Sequence, residues 1–199
     1  MHRVLTFGAL GLLLSACATT RIENVWVDPA ATPDSFAFRQ VITVAQAREG
    51  IRRNAEDALQ RAMRAGPRAQ AGEVKVYPSY TLLEDAELAN VEQARRKVEE
   101  VGYDGVVIMR FVSSQQKVTV EPPSVRGFWG YYGRAVVYDP GSVRTDTIVK
   151  LQINIFSLKE DKLLWSGTSR TLNPREVDAV VADIAEAARA DLQKRGLLP

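Results

Sequence analysis

The stretch GVVIMRFV, residues 105–112, is the most continuous apolar run that follows residue 17. Arg110 is its only charged residue, and β-branched residues are frequent in it. Such a run is typical of a strand in the middle of a sheet, where both faces are buried. The segments on either side must therefore supply the neighbouring strands and the helices that cover them.

Upstream segments alternate between strand and helix patterns. Residues 38–45 predict a strand, and residues 48–65 place apolar side chains at helical spacing. Residues 74–83 predict a second strand, in which Pro78 favours an edge position or a bulge. Residues 86–101 predict a second amphipathic helix. In the first helix the expected buried face is Ile51, Ala55, Leu59, Ala62 and Met63, and the expected solvent face is Arg52, Arg53, Glu56, Asp57, Gln60 and Arg61.

Downstream segments predict a hairpin. Residues 146–158 alternate between apolar and polar side chains, which is the pattern of a half-buried strand. Residues 159–161, Lys-Glu-Asp, make the turn, and residues 162–172 return as the partner strand. Trp165 lies in this returning strand, and packing in the core is its expected role.

A final helix is predicted near the end of the chain. Asn173 is the expected N-cap, Pro174 takes the first helical position, and Glu176 follows the cap by three residues. Gly196 is expected to end the helix. Its expected buried stripe is Val177, Val180, Val181, Ile184, Ala188 and Leu192.

The predicted order is β-α-β-α-β, then a β-hairpin, then α. Helices that alternate with strands cover a sheet, and a hairpin adds antiparallel strands to it. The sequence therefore predicts an α/β (α+β) fold, with a mixed sheet and one domain over residues 36–199.

The first seventeen residues have the pattern of an export signal. A short positive segment precedes an apolar run over residues 4–14, whereas a membrane-spanning helix needs about 20 apolar residues. The small residues before Cys17 resemble the lipobox of bacterial lipoproteins. The resemblance implies that residues 1–16 are a signal peptide, that cleavage falls between Ala16 and Cys17, and that Cys17 carries the lipid.

Lipid on Cys17 implies a membrane anchor and a domain that faces the periplasm. Each buried methylene contributes about 0.8 kcal/mol, so two or more acyl chains hold a protein firmly. Ala18 and not Asp follows the cysteine; by resemblance to the sorting rule of enterobacterial lipoproteins, this favours the outer membrane. Residues 17–35 are polar and contain prolines. We expect them to form the lipidated N-terminus and a tether, from which Trp26 can pack onto the domain.

Composition excludes several classes of function. Removal of residues 1–16 takes away Arg3 and no acid, so the net charge falls from +2 to +1, a poor match to nucleic acid. The only histidine is His2, and the only cysteine is the lipid-bearing Cys17. Zinc sites of histidine and cysteine, cysteine nucleophiles and Ser-His-Asp triads are therefore excluded from the mature chain. We expect no metal, no cofactor, no catalytic residue and no enzymatic activity, and Asp104 is expected to form a turn.

Residues 121–145 interleave aromatic residues with glycines. Tyr and Trp give large contact areas at low entropic cost, which suits a protein partner or the sugar faces of a glycan. In a second interpretation Trp129 enters the lipid headgroup region beside the anchor. In a third, residues 118–120 pair with residues 135–138, and the aromatic side chains cover a face of the sheet. The residues of this possible binding loop are Phe128, Trp129, Tyr131, Tyr132 and Tyr138.

Four short motifs and a Gly/Tyr-rich loop fall within roughly residues 24–198. The motifs are Trp26-Val27-Asp28-Pro29, Pro78-Ser79-Tyr80, Gly102 with Asp104 and Val106, and Leu163 with Trp165 and Ser166. Together with the loop they resemble a group of bacterial lipoproteins, and that group implies no activity. The order of elements in this chain is also similar to that of small periplasmic α/β domains of envelope-assembly proteins: the penicillin-binding-protein activator lipoproteins, the amino-terminal domain of the Tol–Pal propeller protein, and the curli secretion lipoprotein.

These resemblances imply a function in binding and not in catalysis. We expect an outer-membrane-anchored module that binds a periplasmic protein or peptidoglycan. A structural subunit that assembles with itself, with a seam along residues 74–83, is the alternative. An enzyme that uses carboxylates is a third hypothesis, which would require two carboxylates in a deep cleft.

Overall fold

The computed structural model describes residues 20–84, 87, 90–121, 142–174 and 176–199. One six-stranded sheet has the order β1-β6-β5-β4-β2-β3. Strand β2 is parallel to β3 and β4, and the other neighbours are antiparallel, so the predicted mixed sheet is confirmed. The strands are β1 (Thr20–Val27), β2 (Gln40–Gln46), β3 (Lys75–Pro78), β4 (Gly105–Glu121), β5 (Ser142–Ser157) and β6 (Lys162–Leu172).

Helices cover both faces of the sheet, which confirms the predicted α+β fold. Helices α1 and α4 pack on one face, and α3 packs on the other. The helices are α1 (Glu49–Arg64), α2 (Pro67–Gln70), α3 (Val91–Val101) and α4 (Val177–Lys194), with short 3-10 turns at Pro33–Phe36 and Ser79–Thr81.

The larger core lies between the sheet and helices α1 and α4. Val107 of the sheet meets Leu59 of α1 and Ile184 of α4 in this layer, and all three are almost fully buried. Trp165 is completely buried there, and its Nε1–H donates to Oδ2 of Asp191 at 3.0 Å. The predicted packing role of Trp165 is confirmed, with a polar partner for its only donor.

The smaller core lies under α3. Ile42, Tyr103 and Val106 are buried in it, and Val98 of α3 packs against them. Residues 105–109 of β4 are therefore buried on both faces, as the apolar run predicts. The prediction is wrong for the last three residues of the run, because Arg110, Phe111 and Val112 are exposed, Phe111 by 57%. Beyond them the strand continues to Glu121, and among the described residues no helix covers it.

Residues 20–27 form a strand, where the sequence predicted a tether over residues 17–35. Strand β1 pairs with β6, from Thr20 opposite Thr171 to Val27 opposite Trp165. A bulge between Glu23 and Trp26 interrupts the pairing, and Asn24 adopts a left-handed φ of 51°. The bulge removes the strict alternation by which a strand is recognised in sequence. Residues 20–27, within the predicted tether, are therefore part of the sheet.

Two other predicted elements are shorter than expected. The strand predicted over residues 74–83 is only Lys75–Pro78, at the edge of the sheet, and a 3-10 turn follows it. The helix predicted over residues 86–101 is seen as α3, which begins at Val91. The side chain of Asn90 caps it by accepting from the backbone N–H of Gln93 at 3.1 Å.

The start of α4 also differs from the prediction. Glu176, and not Asn173, is the N-cap, and Val177 is half-exposed. Asn173 has a left-handed φ of 49° and pairs with Thr147 of β5, accepting from its N–H and donating to its carbonyl, both at 2.7 Å. Asn173 therefore ends the pairing of β5 with β6. The predicted end of the last helix at Gly196 is confirmed, and Gly196 has a left-handed φ of 70°.

Candidate functional site

Strands β4 and β5 extend well beyond their neighbours in the sheet. Pairing of β2 with β4 ends at Arg110, and pairing of β6 with β5 ends at Ile148. Residues 116–121 of β4 and 142–147 of β5 continue as a two-stranded antiparallel hairpin stem, which we call the ribbon. A two-stranded hairpin is marginally stable alone, so a ribbon of this length is typically completed by contact with something else.

One face of the ribbon is apolar and exposed. Val120 lies directly opposite Val143, and Val118 follows on the same face. Their exposed fractions are 63%, 65% and 60%. Residues 151, 153 and 155 of β5 share this face by the two-residue period and pack under the helices. The apolar face of the ribbon is therefore the uncovered continuation of the face that carries the main core.

The opposite face of the ribbon is polar. Arg144 lies opposite Thr119, and Lys117 lies opposite Asp146. Nε of Arg144 is 2.8 Å from Oδ1 of Asp146, and Asn173 Nδ2 donates to the same oxygen at 2.8 Å. The hydrogen bond from Asn173, and then that from Arg144, hold the pKa of Asp146 below its usual value. The ribbon is thus amphipathic, with a carboxylate held ionised on its polar side.

The outer edge of β4 is open over eleven residues, 111–121. Among the described residues, no strand pairs with this edge beyond Arg110. The edge contains no proline, Lys117 is its only basic residue, and a bulge between Phe111 and Ser113 is its one irregularity. Proteins usually protect an edge of this length with charges, prolines or a covering element. The unprotected edge is therefore available for an added strand.

A buried polar cluster lies at the other side of the sheet, around Glu56. The sequence placed Glu56 and Arg52 on the solvent face of α1, but both are buried, so that prediction is wrong. Oε1 of Glu56 accepts from the hydroxyl of Ser79 at 2.7 Å and from the N–H of Ala45 at 3.1 Å, and its Oε2 accepts from the N–H of Tyr80 at 3.2 Å. Glu56 thereby joins α1, β2 and the turn after β3.

Neighbouring groups complete the cluster without forming a reactive site. The hydroxyl of Tyr80 donates to Oδ1 of Asp57, and this hydrogen bond raises the pKa of Tyr80. The Arg53 guanidinium lies 5.6 Å from the centre of the Tyr80 ring. Because Glu56 is fully buried and its oxygens accept from three donors, we assign the cluster to the stability of the fold.

Asp104 has a structural role as well. Its two carboxylate oxygens accept from the backbone N–H groups of Arg39 and Gln40, at 2.8 and 2.9 Å. These bonds fix the start of β2 beside the start of β4. The sequence predicted a turn-forming residue here, but the observed bonds join Asp104 to residues 64 and 65 positions away, so its role is to connect two strands.

An apolar cavity of about 170 Å³ lies between the sheet and helices α1, α2 and α4. Its walls are core side chains such as Leu59 and Ile153, with two arginines at the rim. Arg68 donates to the carbonyls of Phe36 and Phe38, at 2.9 and 3.1 Å, and Arg189 donates to a carbonyl of α1 at 3.0 Å. The rim arginines thus hold neighbouring elements together, and the cavity extends the core.

The residues that the sequence singled out for function lie outside the described part of the chain. They are Ala16 and Cys17 at the signal cleavage site and the five aromatic residues between 128 and 138. Residues 118–120 pair with residues 143–145, and the partner that the third interpretation gives them, residues 135–138, lies outside the described part of the chain. The sequence did not predict the ribbon, because residues 112–121, VSSQQKVTVE, are too polar to be recognised as a strand. The alternating valines at 118 and 120 are the feature that could have indicated a strand there.

Two further observations concern the described residues alone. No group of three or more His, Cys, Asp or Glu side chains among them could hold a metal ion. No helix among them is both long enough and apolar enough to cross a membrane.

Comparison with known proteins gives distant structural similarities. No protein-family model and no curated protein matches the chain. The PelC dodecamer from Paraburkholderia phytofirmans is 13% identical, with 84% of this chain and 94% of that chain covered and a TM-score of 0.46. The lipoprotein GNA1162 from Neisseria meningitidis is 14% identical, with coverages of 78% and 99% and a TM-score of 0.38. A PDZ domain protein from Parabacteroides distasonis is 9% identical, with coverages of 88% and 37% and a TM-score of 0.40. Similarities at this level assign no function to the chain.

Proposed function

We propose that this chain is a lipoprotein of the outer membrane, anchored through lipid on Cys17, that faces the periplasm and docks another envelope protein. The observation that carries the proposal is the open edge of β4 on the projecting ribbon. The module acts by binding and not by catalysis, and it uses no metal or cofactor.

Strand addition is the binding mode that an open edge favours. An extended segment of the partner pairs its main-chain N–H and C=O groups with those of residues 111–121, which provides affinity. Side chains on alternate sides then provide specificity. A peptidoglycan strand has few groups in this arrangement, so the edge suits a polypeptide better.

Contact with the apolar face of the ribbon would add to the affinity for a partner. Fully burying a valine side chain contributes about 1.5–3 kcal/mol, and Val118, Val120 and Val143 are each more than half exposed. Covering them would contribute about 1 kcal/mol each. The ribbon therefore gains stability from any partner that completes it.

Site-specific photo-crosslinking in cells tests the proposal. A photoreactive phenylalanine analogue replaces Gln115 or Lys117, which are exposed on the open edge of β4. The matched control replaces Val91, which is 74% exposed on α3. We expect an adduct with a second protein at the edge positions and none at the control. Equal adducts at all positions, or none at the edge, would contradict the proposal.

Self-assembly is the second candidate, because the open edge of one copy can pair with that of another. The seam would be the ribbon and not β3, since β3 offers four residues and Pro78 lacks an N–H. An adduct with the mass of two copies of this chain would favour self-assembly over a different partner.

The aromatic segment stays a prediction for the same function. If Trp129 contributes to docking, Trp129→Ala should lower the yield of the edge adduct and leave the melting temperature unchanged. If Trp129 packs on the domain, the same substitution should destabilise the fold by about 3 kcal/mol or more.

A further inference from the structure

The start of the described chain and the ribbon lie at the same end of the sheet. Thr20 pairs with Thr171, Thr171 pairs with Val149, and Val149 pairs with Ser114, so these four residues form one row across the sheet. From that row the chain of β1 leads back towards Cys17, and β4 leads forward into the ribbon. At that row the backward direction of β1 is the same as the forward direction of β4, because β1 is antiparallel to β6 and β6 is parallel to β4.

The two segments have a similar reach away from this row. Cys17 is three positions before Thr20, a distance of at most about 11 Å when the chain is fully extended. The seven steps from Ser114 to Glu121 extend about 23 Å along the strand. Three strand steps separate β1 from β4, and their twist of about 68° leaves roughly 9 Å of this length in the direction of β1. The end of the ribbon therefore reaches about as far as the anchor segment can.

The surface of the ribbon is suited to one particular depth in a membrane. Its apolar face presents Val118, Val120 and Val143, and its polar face presents Lys117 and Arg144. Amphipathic elements of this kind lie in the headgroup layer. The open strand edges cannot enter the hydrocarbon, because their N–H and C=O groups would lose hydrogen-bond partners there.

We infer that Val118, Val120 and Val143 rest in the headgroup layer of the same membrane that holds Cys17. The inference rests on the proposed function, since it requires lipid on Cys17. It also deepens that function, because the apolar face is occupied by lipid while the open edge of β4 remains free for a protein. Docking then takes place at the membrane surface.

Fluorescence quenching on the full lipidated chain tests this arrangement. Val120→Cys and Val143→Cys each introduce the only free thiol, because the single natural cysteine is acylated, and an environment-sensitive fluorophore is attached to it. The matched control is Lys117→Cys on the opposite face of the same ribbon. The labelled proteins are incorporated into vesicles of phosphatidylethanolamine and phosphatidylglycerol.

We expect lipids with nitroxide near the headgroup to quench positions 120 and 143 several-fold more strongly than position 117, and aqueous iodide to show the reverse order. Equal iodide quenching at all three positions overturns the inference. Shielding of 120 and 143 in the Cys17→Ser variant, measured in buffer without vesicles or detergent, also overturns it, because a second copy or another protein then covers the face. Mass spectrometry of the N-terminal peptide and the crosslinking above test the anchor and the docking separately, so failure of either is distinguished from failure of this inference.

Discussion

The hydroxyl oxygens of Thr20 and Thr171 lie 3.0 Å apart, in a hydrogen bond that joins the first residue of β1 to β6. Residue 20 is only three positions from Cys17, so the proposed anchor would lie within a short distance of the edge of the sheet. An anchor on a long tether would leave the domain free to rotate. If Cys17 carries the lipid, as proposed, the short connection restricts the position of the domain relative to the membrane.

Cys17→Ser should release the protein from the membrane. If the acyl chains on Cys17 are the anchor, their loss removes the membrane affinity that they provide. Fractionation of cells should then place the variant with soluble periplasmic proteins. Retention of the variant in the membrane pellet would mean that another segment holds it there.

Gly167→Ala should destabilise the fold, whereas Gly50→Ala should not. A Cβ at position 167 would overlap the ring of Trp165, which is fully buried and cannot move aside, and overpacking of this kind costs about 1–3 kcal/mol. At Gly50, in the first turn of α1, a Cβ meets no atom within 4 Å, and alanine favours a helix by about 0.5–1 kcal/mol. Urea unfolding of the two variants should therefore show changes of opposite sign. Similar stability of both variants would mean that Trp165 is less tightly packed than described.

Glu56→Ala should be strongly destabilising. The substitution removes the acceptor of three buried or partly buried hydrogen bonds and the carboxylate beside buried Arg52, whose Nη1 lies 3.9 Å from it. Breaking a buried ion pair of this kind costs about 3–5 kcal/mol. The control is Glu99→Ala, which breaks an exposed pair with Arg95 and should cost no more than about 0.5 kcal/mol. Equal urea midpoints for the two variants would refute the structural role assigned to Glu56.

Asp191 should make stability sensitive to acid. Burial acts to raise its pKa, but hydrogen bonds from Arg195 and then from Trp165 outweigh it and hold the pKa below the usual 3.8. A carboxyl whose pKa is lowered on folding stabilises the protein above its unfolded pKa, and that contribution is lost as the pH falls through the folded value. Asp191→Asn should therefore show a smaller loss of stability on acidification below about pH 4 than the natural chain. Urea midpoints measured over this range provide the check, and parallel curves would contradict it.

Elements with an uninterrupted period were predicted from the sequence. The apolar run 105–112, the alternation over residues 146–158 and the helical spacing in residues 48–65 each correspond to an observed strand or helix. The prediction from the sequence was wrong where a local irregularity interrupts the regular spacing of apolar residues or the expected capping motif. At β1 the bulge after Glu23 hides a strand, and at α4 a left-handed Asn173 displaces the expected cap.

The candidate site was predicted only in part. The sequence drew attention to the segment after residue 120 and offered a hairpin that includes residues 118–120, but it did not identify residues 143–145 as their partners. The partner strand is hard to predict because most residues of the stem are polar and the pairing depends on hydrogen bonds between β4 and β5. Glu56 was missed for a related reason. An acidic residue on a helix is normally assigned to the surface. The hydrogen-bond donors that stabilise Glu56 in the interior, from Ala45, Ser79 and Tyr80, are brought to it only by the tertiary structure.

By itself, the amino-acid sequence determined the class of fold, the order of most elements, the absence of histidine and cysteine after residue 17, and the resemblance to a lipobox at Cys17. These follow from composition and from local periods, which each segment carries independently of the others. Only the tertiary structure decided that β1 joins the sheet, that Glu56 is buried, and that the ribbon and the first described residues lie at the same end of the sheet. β1 joins β6 through contacts such as that between Thr20 and Thr171, which are 151 positions apart, and Glu56 is held by donors 11 to 24 positions away. No local pattern specifies such contacts.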